Sequence, residues 1–191
     1  MPLHRWGLLP YIEARERMDE VHAQACADGR NHLIFCSHPL CYTVGRDDAG
    51  TWPVETISAD RGGSITCHSP GQSVAYFCFQ AQEPAVFYRR VRRAYDAFFA
   101  QLLPTVRYDI HRPGWYIENR KIASLGFRYR NGVSLHGVSL NVDVDLEAHN
   151  RVAPCNLEGV VAGSLVAEGV EISLEEAEEI LLRCIHEHFN M

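Results

Sequence analysis

Lys121 is the only lysine in a chain whose other seventeen basic side chains are all arginine. A preference for arginine explains the seventeen and leaves open why one position escapes it. Chemistry offers a reason. A guanidinium keeps its proton in any protein setting, whereas an amine can release one and shifts its pKa readily on burial. Cysteine is the second reactive type. The seven (Cys26, Cys36, Cys41, Cys67, Cys78, Cys155 and Cys184) are odd in number and scattered, which argues against a disulfide framework. Most read as core thiols. Cys155 stands apart in Ala153-Pro154-Cys155-Asn156-Leu157-Glu158-Gly159, where the chain leaves a β-rich stretch through the polar residues Glu147 to Arg151. That is the pattern of an exposed loop. A thiolate nucleophile needs a nearby cation or base, and His68, His136 and Lys121 are the candidates to supply it.

A third feature runs from Arg61 to Gln72. Arg61, Gly62, Gly63, Ser64, Ile65, Thr66, Cys67, His68, Ser69, Pro70, Gly71 and Gln72 set three glycines among hydrogen-bonding side chains, between two expected strands. Glycine lets backbone approach a ligand closely. The segment is neither a P-loop, lacking GxxxxGK[ST], nor a dinucleotide fingerprint, lacking GxGxxG at a helix start. On composition alone, a tight turn and a binding loop both remain open. No CxxC or HExxH occurs, and His186 and His188, two apart on an expected helix, face different sides. No metal site is expected.

Positioning these residues falls to elements readable from periodicity. Apolar or small residues at Tyr11, Ala14, Met18, Val21 and Ala25 predict a helix that Gly29 ends. HLIFCS, CYTVG and QSVAYFCF predict strands. Pro84 opens a helix with its apolar stripe at Phe87, Val91, Ala94, Tyr95, Phe98 and Leu102, stopped by Pro104. WYIE, KIASLGFRYR and VSLHGVSLNVDV predict hairpins turning at Asn119-Arg120 and Asn131-Gly132, the latter a type I′ signal. Ser173 and Glu176 form a capping box for a last helix. The sum is an α+β fold, a mainly antiparallel sheet flanked by helices, expected as one domain over residues 1–191.

Three segments in this order, RGGSITCHSPGQ, KIASLGFRYRNGVSLHGVSLNV and APCNLEG, together with HPLCYTVGR, resemble the lipoyl(octanoyl) transferase family over roughly Leu33 to Leu165. The resemblance implies the fold of the biotin/lipoate protein ligase catalytic domain. It implies an acyltransferase that carries octanoyl from octanoyl-acyl carrier protein to a lysine of lipoyl domains, in 2-oxoacid dehydrogenases or the glycine cleavage H protein. Cys155 matches the thioester cysteine and Lys121 the lysine that lowers its pKa. Arg61 to His68, Ser124, Leu125 and Gly126, and Gly137, Val138 and Ser139 match the substrate-binding segments. Cys67 stands where the family has tyrosine, and Ser69 and Asn156 where it has glycine.

Thioester to amide is downhill, so this scheme needs no ATP and no cofactor. The competing activities are an ATP-dependent lipoate-protein ligase, a lipoyl-domain-to-lipoyl-domain amidotransferase and a non-enzymatic module that docks carrier proteins. A net charge of -6 gives no support for nucleic-acid binding. The N-terminal stretch has no apolar run of signal-peptide or membrane-span length, so a cytoplasmic protein without membrane contact is expected. Arg89, Arg90, Arg92 and Arg93 crowd one helix, as a solvated face or a dock for an acidic protein.

Overall fold

The protein, a computed structural model, is described over residues 1–48, 50–153, 157 and 159–190. In chain order its elements are β1 (Leu3–Leu8), α1 (Tyr11–Asp28), β2 (His32–Ser37), β3 (Cys41–Val44), β4 (Ile57–Ser58), β5 (Ile65–His68), β6 (Gln72–Cys78) and α2 (Pro84–Leu102). There follow β7 (Arg107–Asp109), β8 (Gly114–Ile117), β9 (Arg120–Arg130), β10 (Val133–Asn141), α3 (Leu146–His149), β11 (Val161–Ala162) and α4 (Leu174–Phe189).

Every residue of β6 is buried, because helices cover both faces of the sheet that contains it. Side chains alternate across a strand. Ala75 and Phe77 therefore join the aromatic core under α2 and α4, with Phe87, Tyr95, Phe98, Phe99 and Trp115. Val74, Tyr76 and Cys78 point the other way and pack on Ala14, Met18 and Ala25 of α1. The large sheet runs β1-β2-β6-β10-β9-β8-β7, with β11 alongside β9. It is antiparallel except for β1 on β2 and β11 on β9. A small sheet, β4-β3-β5, stands apart from it. The architecture is the expected α+β fold.

The local signals read from sequence have physical counterparts. Gly29 is left-handed and donates to the Ala25 carbonyl, which closes α1. Asn131 and Gly132 both take positive φ, as a type I′ turn requires. Ser173 and Glu176 form both halves of the capping box. Three expectations need correction. The β8–β9 turn falls at Glu118-Asn119, one residue early, with Glu118 taking the positive φ. The glycine segment is not loop throughout: Ile65–His68 pairs with β3 as a strand. The polar stretch after β10 contains a helical turn, α3, capped by the Asp145 carboxylate. Among the described residues no helix is long and apolar enough to cross a membrane.

Candidate active site

Lys121 owes its position to a bulge. The β8–β9 register passes from Trp115 opposite Ala123 to Tyr116 opposite Lys121, which leaves Ile122 unmatched on β8. Lys121, Ile122 and Ala123 are all buried, Lys121 to 2% exposure, and the extra residue re-aims the side chains that follow it. Its Nζ donates to the Pro113 carbonyl at 3.1 Å and lies 5.2 Å from the centre of the Tyr116 ring. A cation against that ring face is held electrostatically. Gly114 makes the fit possible: a Cβ there would stand 2.5 Å from Lys121 Cε and 2.8 Å from the Ala123 carbonyl oxygen.

Lys121 lines a small cavity with Ile65, Thr66, Cys67, Ser124 and His149. A second cavity shares Thr66 and Ser124 in its wall. Arg61, Gly63, His68, Leu125, Gly126, Gly137, Val138 and Ser139 line it, together with Tyr11, Val74, Tyr76 and His136. Three separate stretches singled out in the sequence thus meet around two adjoining spaces. β9 and β10 bring two of them together, with Gly126 directly opposite Gly137. Neither has room for a side chain: a Cβ at Gly126 would lie 2.7 Å from the Gly62 carbonyl oxygen. At Gly137 no alternative exists, since a Cβ would lie 1.8 Å from the Ala75 carbonyl oxygen. Gly62 and Ser64 line neither cavity. Gly62 N–H donates to the Phe127 carbonyl, and the Ser64 hydroxyl bonds the Asp48 carboxylate.

The polar residues of the glycine segment are tied into the protein. Arg61 Nη1 donates to the Gly62 and Ser64 carbonyls, and Nη2 donates to Thr43 O and Oγ1, both at 2.8 Å. With the Thr43 hydroxyl accepting from arginine, its proton goes to His68 Nε2 at 3.1 Å. His68 Nδ1–H in turn donates to Gln72 Oε1 at 2.7 Å, and Gln72 Nε2 donates to Asn141 Oδ1. Every member has a partner, so the chain of bonds rigidifies the segment. Burial, with His38 and Arg61 adding to it, holds His68 well below the usual histidine range and therefore neutral. His38 is fixed likewise: Nδ1–H donates to the Leu9 carbonyl and Nε2 accepts from Tyr76.

Of the departures noted in the sequence, Cys67 lines the Lys121 cavity and Ser69 bonds a residue of its wall, His149. Ser69 Oγ bonds His149 Nε2 at 2.9 Å, and burial lowers that imidazole to about 4. Burial pushes the Cys67 thiol up to about 12, so it stays protonated. The same cause raises Cys36, Cys41, Cys78 and Cys184. Cys26 is exposed on α1 and lines neither cavity. Cys155 and Asn156 lie outside the described residues.

The sequence puts Tyr11 on a helix stripe and Tyr76 in an expected strand, and gives no reason to single out His149. Each reaches the cavities through tertiary pairing. His136 had been named only as a possible partner for the thiol. Its φ of 62° within β10 turns it toward Asp60, whose carboxylate it meets at 2.6 Å. Among the described residues no group of His, Cys, Asp or Glu is arranged to hold a metal ion.

The chain is similar to known proteins over nearly its whole length. An octanoyltransferase of Methylococcus capsulatus is 35% identical over 93% of this chain and 90% of its own length. One from Nitrosococcus oceani is 32% identical over 93% of this chain and 83% of its own. A crystal structure of lipoate-protein ligase A bound with ATP superposes with a TM-score of 0.76 at 17% identity, covering 99% of this chain and 85% of that one. The last likeness concerns fold alone. Residues 11–186 match the lipoyl protein ligase A/B catalytic domain, and the chain belongs to that family of enzymes.

Proposed function

We propose that the enzyme moves an octanoyl group from the thiol of acyl carrier protein to a lysine amine of a lipoyl domain, through a thioester on Cys155. The observation that carries this reading is Lys121: the one amine side chain of the protein, buried, seated by a bulge and an aromatic ring, in a cavity that adjoins a glycine-lined one. The names and the 32–35% identity of the relatives support the same chemistry. In the cytosol, lipoyl domains of 2-oxoacid dehydrogenases or the glycine cleavage H protein would be the acceptors.

The cavity between the glycine segment and the sheet face of β6, β10 and β9 takes the acyl chain, with Tyr11, Val74 and Tyr76 in its wall and Gly126 and Gly137 as floor. In the first half-reaction the Cys155 sulfur attacks the donor carbonyl, and the carrier sulfur leaves and takes up a proton. In the second, the acceptor amine attacks the enzyme thioester, the Cys155 sulfur leaves, and the nitrogen loses a proton as the amide forms. Lys121 assists in one of two ways. As an ammonium it favours the thiolate; as an amine it receives the proton. The other described thiols are poor competitors. Burial holds five of them protonated, and Cys26 lines neither cavity.

A second reading is favoured by the fold shared with an ATP-bound lipoate-protein ligase A. In it the glycine segment and Lys121 hold a nucleotide and an acyl-adenylate, and Cys155 is incidental. Omitting ATP separates them. Transfer from octanoyl-acyl carrier protein to a lipoyl domain proceeds at full rate without nucleotide in the first reading. No transfer without ATP, and transfer of free acid with it, would replace the first reading by the second.

Gly114→Ala tests the seat of Lys121 under either reading. The added methyl must push the Lys121 stem or the β9 backbone aside. Displacing a reacting group by about 1 Å is enough for a loss of roughly 10²-fold in turnover, and overpacking costs about 1–3 kcal/mol of stability. Steady-state rates and urea unfolding on the same preparation check both. Unchanged turnover in a folded variant contradicts the seat.

A further inference from the structure

The arginines of α2 and the β7–β8 turn are not accounted for by the chemistry above. Arg92 lies 5.5 Å from the Tyr108 ring and reaches toward Asp96, which brings it against β7. Arg89 and Arg93 are exposed on the same helix, and a groove between α2 and β7 is bounded by Arg92, Asp96, Arg107 and Tyr108. At the tip of the turn Ile110 is 69% exposed, the most exposed of the large apolar side chains described. Next to it, the Arg112 guanidinium lies 5.0 Å from the centre of the Tyr116 ring, the ring that also holds Lys121 Nζ at 5.2 Å. The turn and the reacting lysine are therefore separated by one aromatic side chain. Arg112 is paired with Asp109, so Asp96 and Asp109 are the acidic residues set among Arg89, Arg92, Arg93, Arg107 and Arg112. In a chain of net charge -6 this is a local excess of positive charge.

We infer that this flank, from the α2 arginines to Ile110, docks the acceptor protein: a domain whose modified lysine is surrounded by acidic side chains with an apolar residue to cover Ile110. The inference rests on the transfer reaction proposed above. Charge complementarity points to an acidic partner, since such a partner is repelled by the protein as a whole and attracted only locally. Reach points to the acceptor rather than the donor. A lysine amine stands on a four-carbon stem, so the acceptor backbone must come within one side-chain length of the reacting sulfur. The donor brings its thioester on a longer prosthetic arm and has no such constraint.

The test uses Ile110→Asp combined with Arg107→Glu, two exposed positions outside the lysine seat. Three rates are measured: acylation of the enzyme by octanoyl-N-acetylcysteamine, acylation by octanoyl-acyl carrier protein, and kcat/KM for an isolated lipoyl domain at low and high salt. Both acylation rates are expected to match the wild type, which also establishes that the variant folds. The value for the lipoyl domain is expected to fall at least about tenfold, with a weaker salt dependence, since rim charges act mainly on encounter. An unchanged lipoyl-domain value overturns the proposal. A loss confined to acylation by carrier protein also overturns it, because the surface would then serve the donor. A wild-type enzyme that takes no acyl group from the small thioester instead sinks the transfer reaction, and the docking site falls with it.

Discussion

Lys121→Arg is expected to slow octanoyl transfer by roughly 10²–10⁴-fold, the range contributed by a positioned acid or base. Arginine keeps the positive charge and removes the titratable proton. The two half-reactions separate the possible roles. If Lys121 only supplies a field that favours the Cys155 thiolate, arginine supports acylation nearly as well and the loss is confined to geometry. If Lys121 takes the proton from the attacking amine, the second half-reaction carries the loss. We expect the latter pattern. Lys121→Met, uncharged and of similar shape, should lose both halves. The seat is crowded, with Gly114, Pro113 and Tyr116 closing around the side chain, so each variant requires a urea unfolding curve beside its rates. Full turnover by a folded arginine variant would leave the lysine as a charge and nothing more.

Cys155→Ser is expected to remove the acyl-enzyme and at least about 10³-fold of turnover, as deletion of a covalent nucleophile does elsewhere. Serine at this position lacks the low thiol pKa that a neighbouring cation can exploit. The prediction is sharpened by the other cysteines. Cys67 is the described thiol in the Lys121 cavity, and burial holds it protonated with a pKa of about 12, so it is not expected to substitute. Cys67→Ser and Cys26→Ser should retain the adduct. Under ATP-dependent ligation Cys155→Ser would instead retain full activity with ATP, which makes this substitution informative about both readings.

Much of this was legible in the chain because the signals were local. Gly29, Asn131-Gly132, Pro84 and the Ser173/Glu176 box each fix their own few residues, and each behaves in the fold as its chemistry requires. Lys121 was conspicuous by composition alone. What escaped was long-range. The strand Leu3–Leu8 gains its partner only through a parallel pairing with residues near 33–37. Ile65–His68 forms a strand because Cys41–Val44 lies antiparallel beside it, a pairing that three glycines nearby obscured. The bulge beside Lys121 leaves no mark in KIASLGFRYR, since one unmatched residue looks like any other in an apolar strand. His149 and Tyr76 reach the cavities from segments that read as polar connection and core. Chemistry-bearing residue types were visible; which of them meet was decided by register.

The most direct test is the intact mass of the protein after incubation with octanoyl-acyl carrier protein and no nucleotide. The account predicts a gain of one octanoyl group, lost on treatment with hydroxylamine, lost when a lipoyl domain is added, and absent from Cys155→Ser. An unmodified wild-type protein that nevertheless octanoylates the lipoyl domain, or an adduct that persists in Cys155→Ser, would contradict the covalent mechanism.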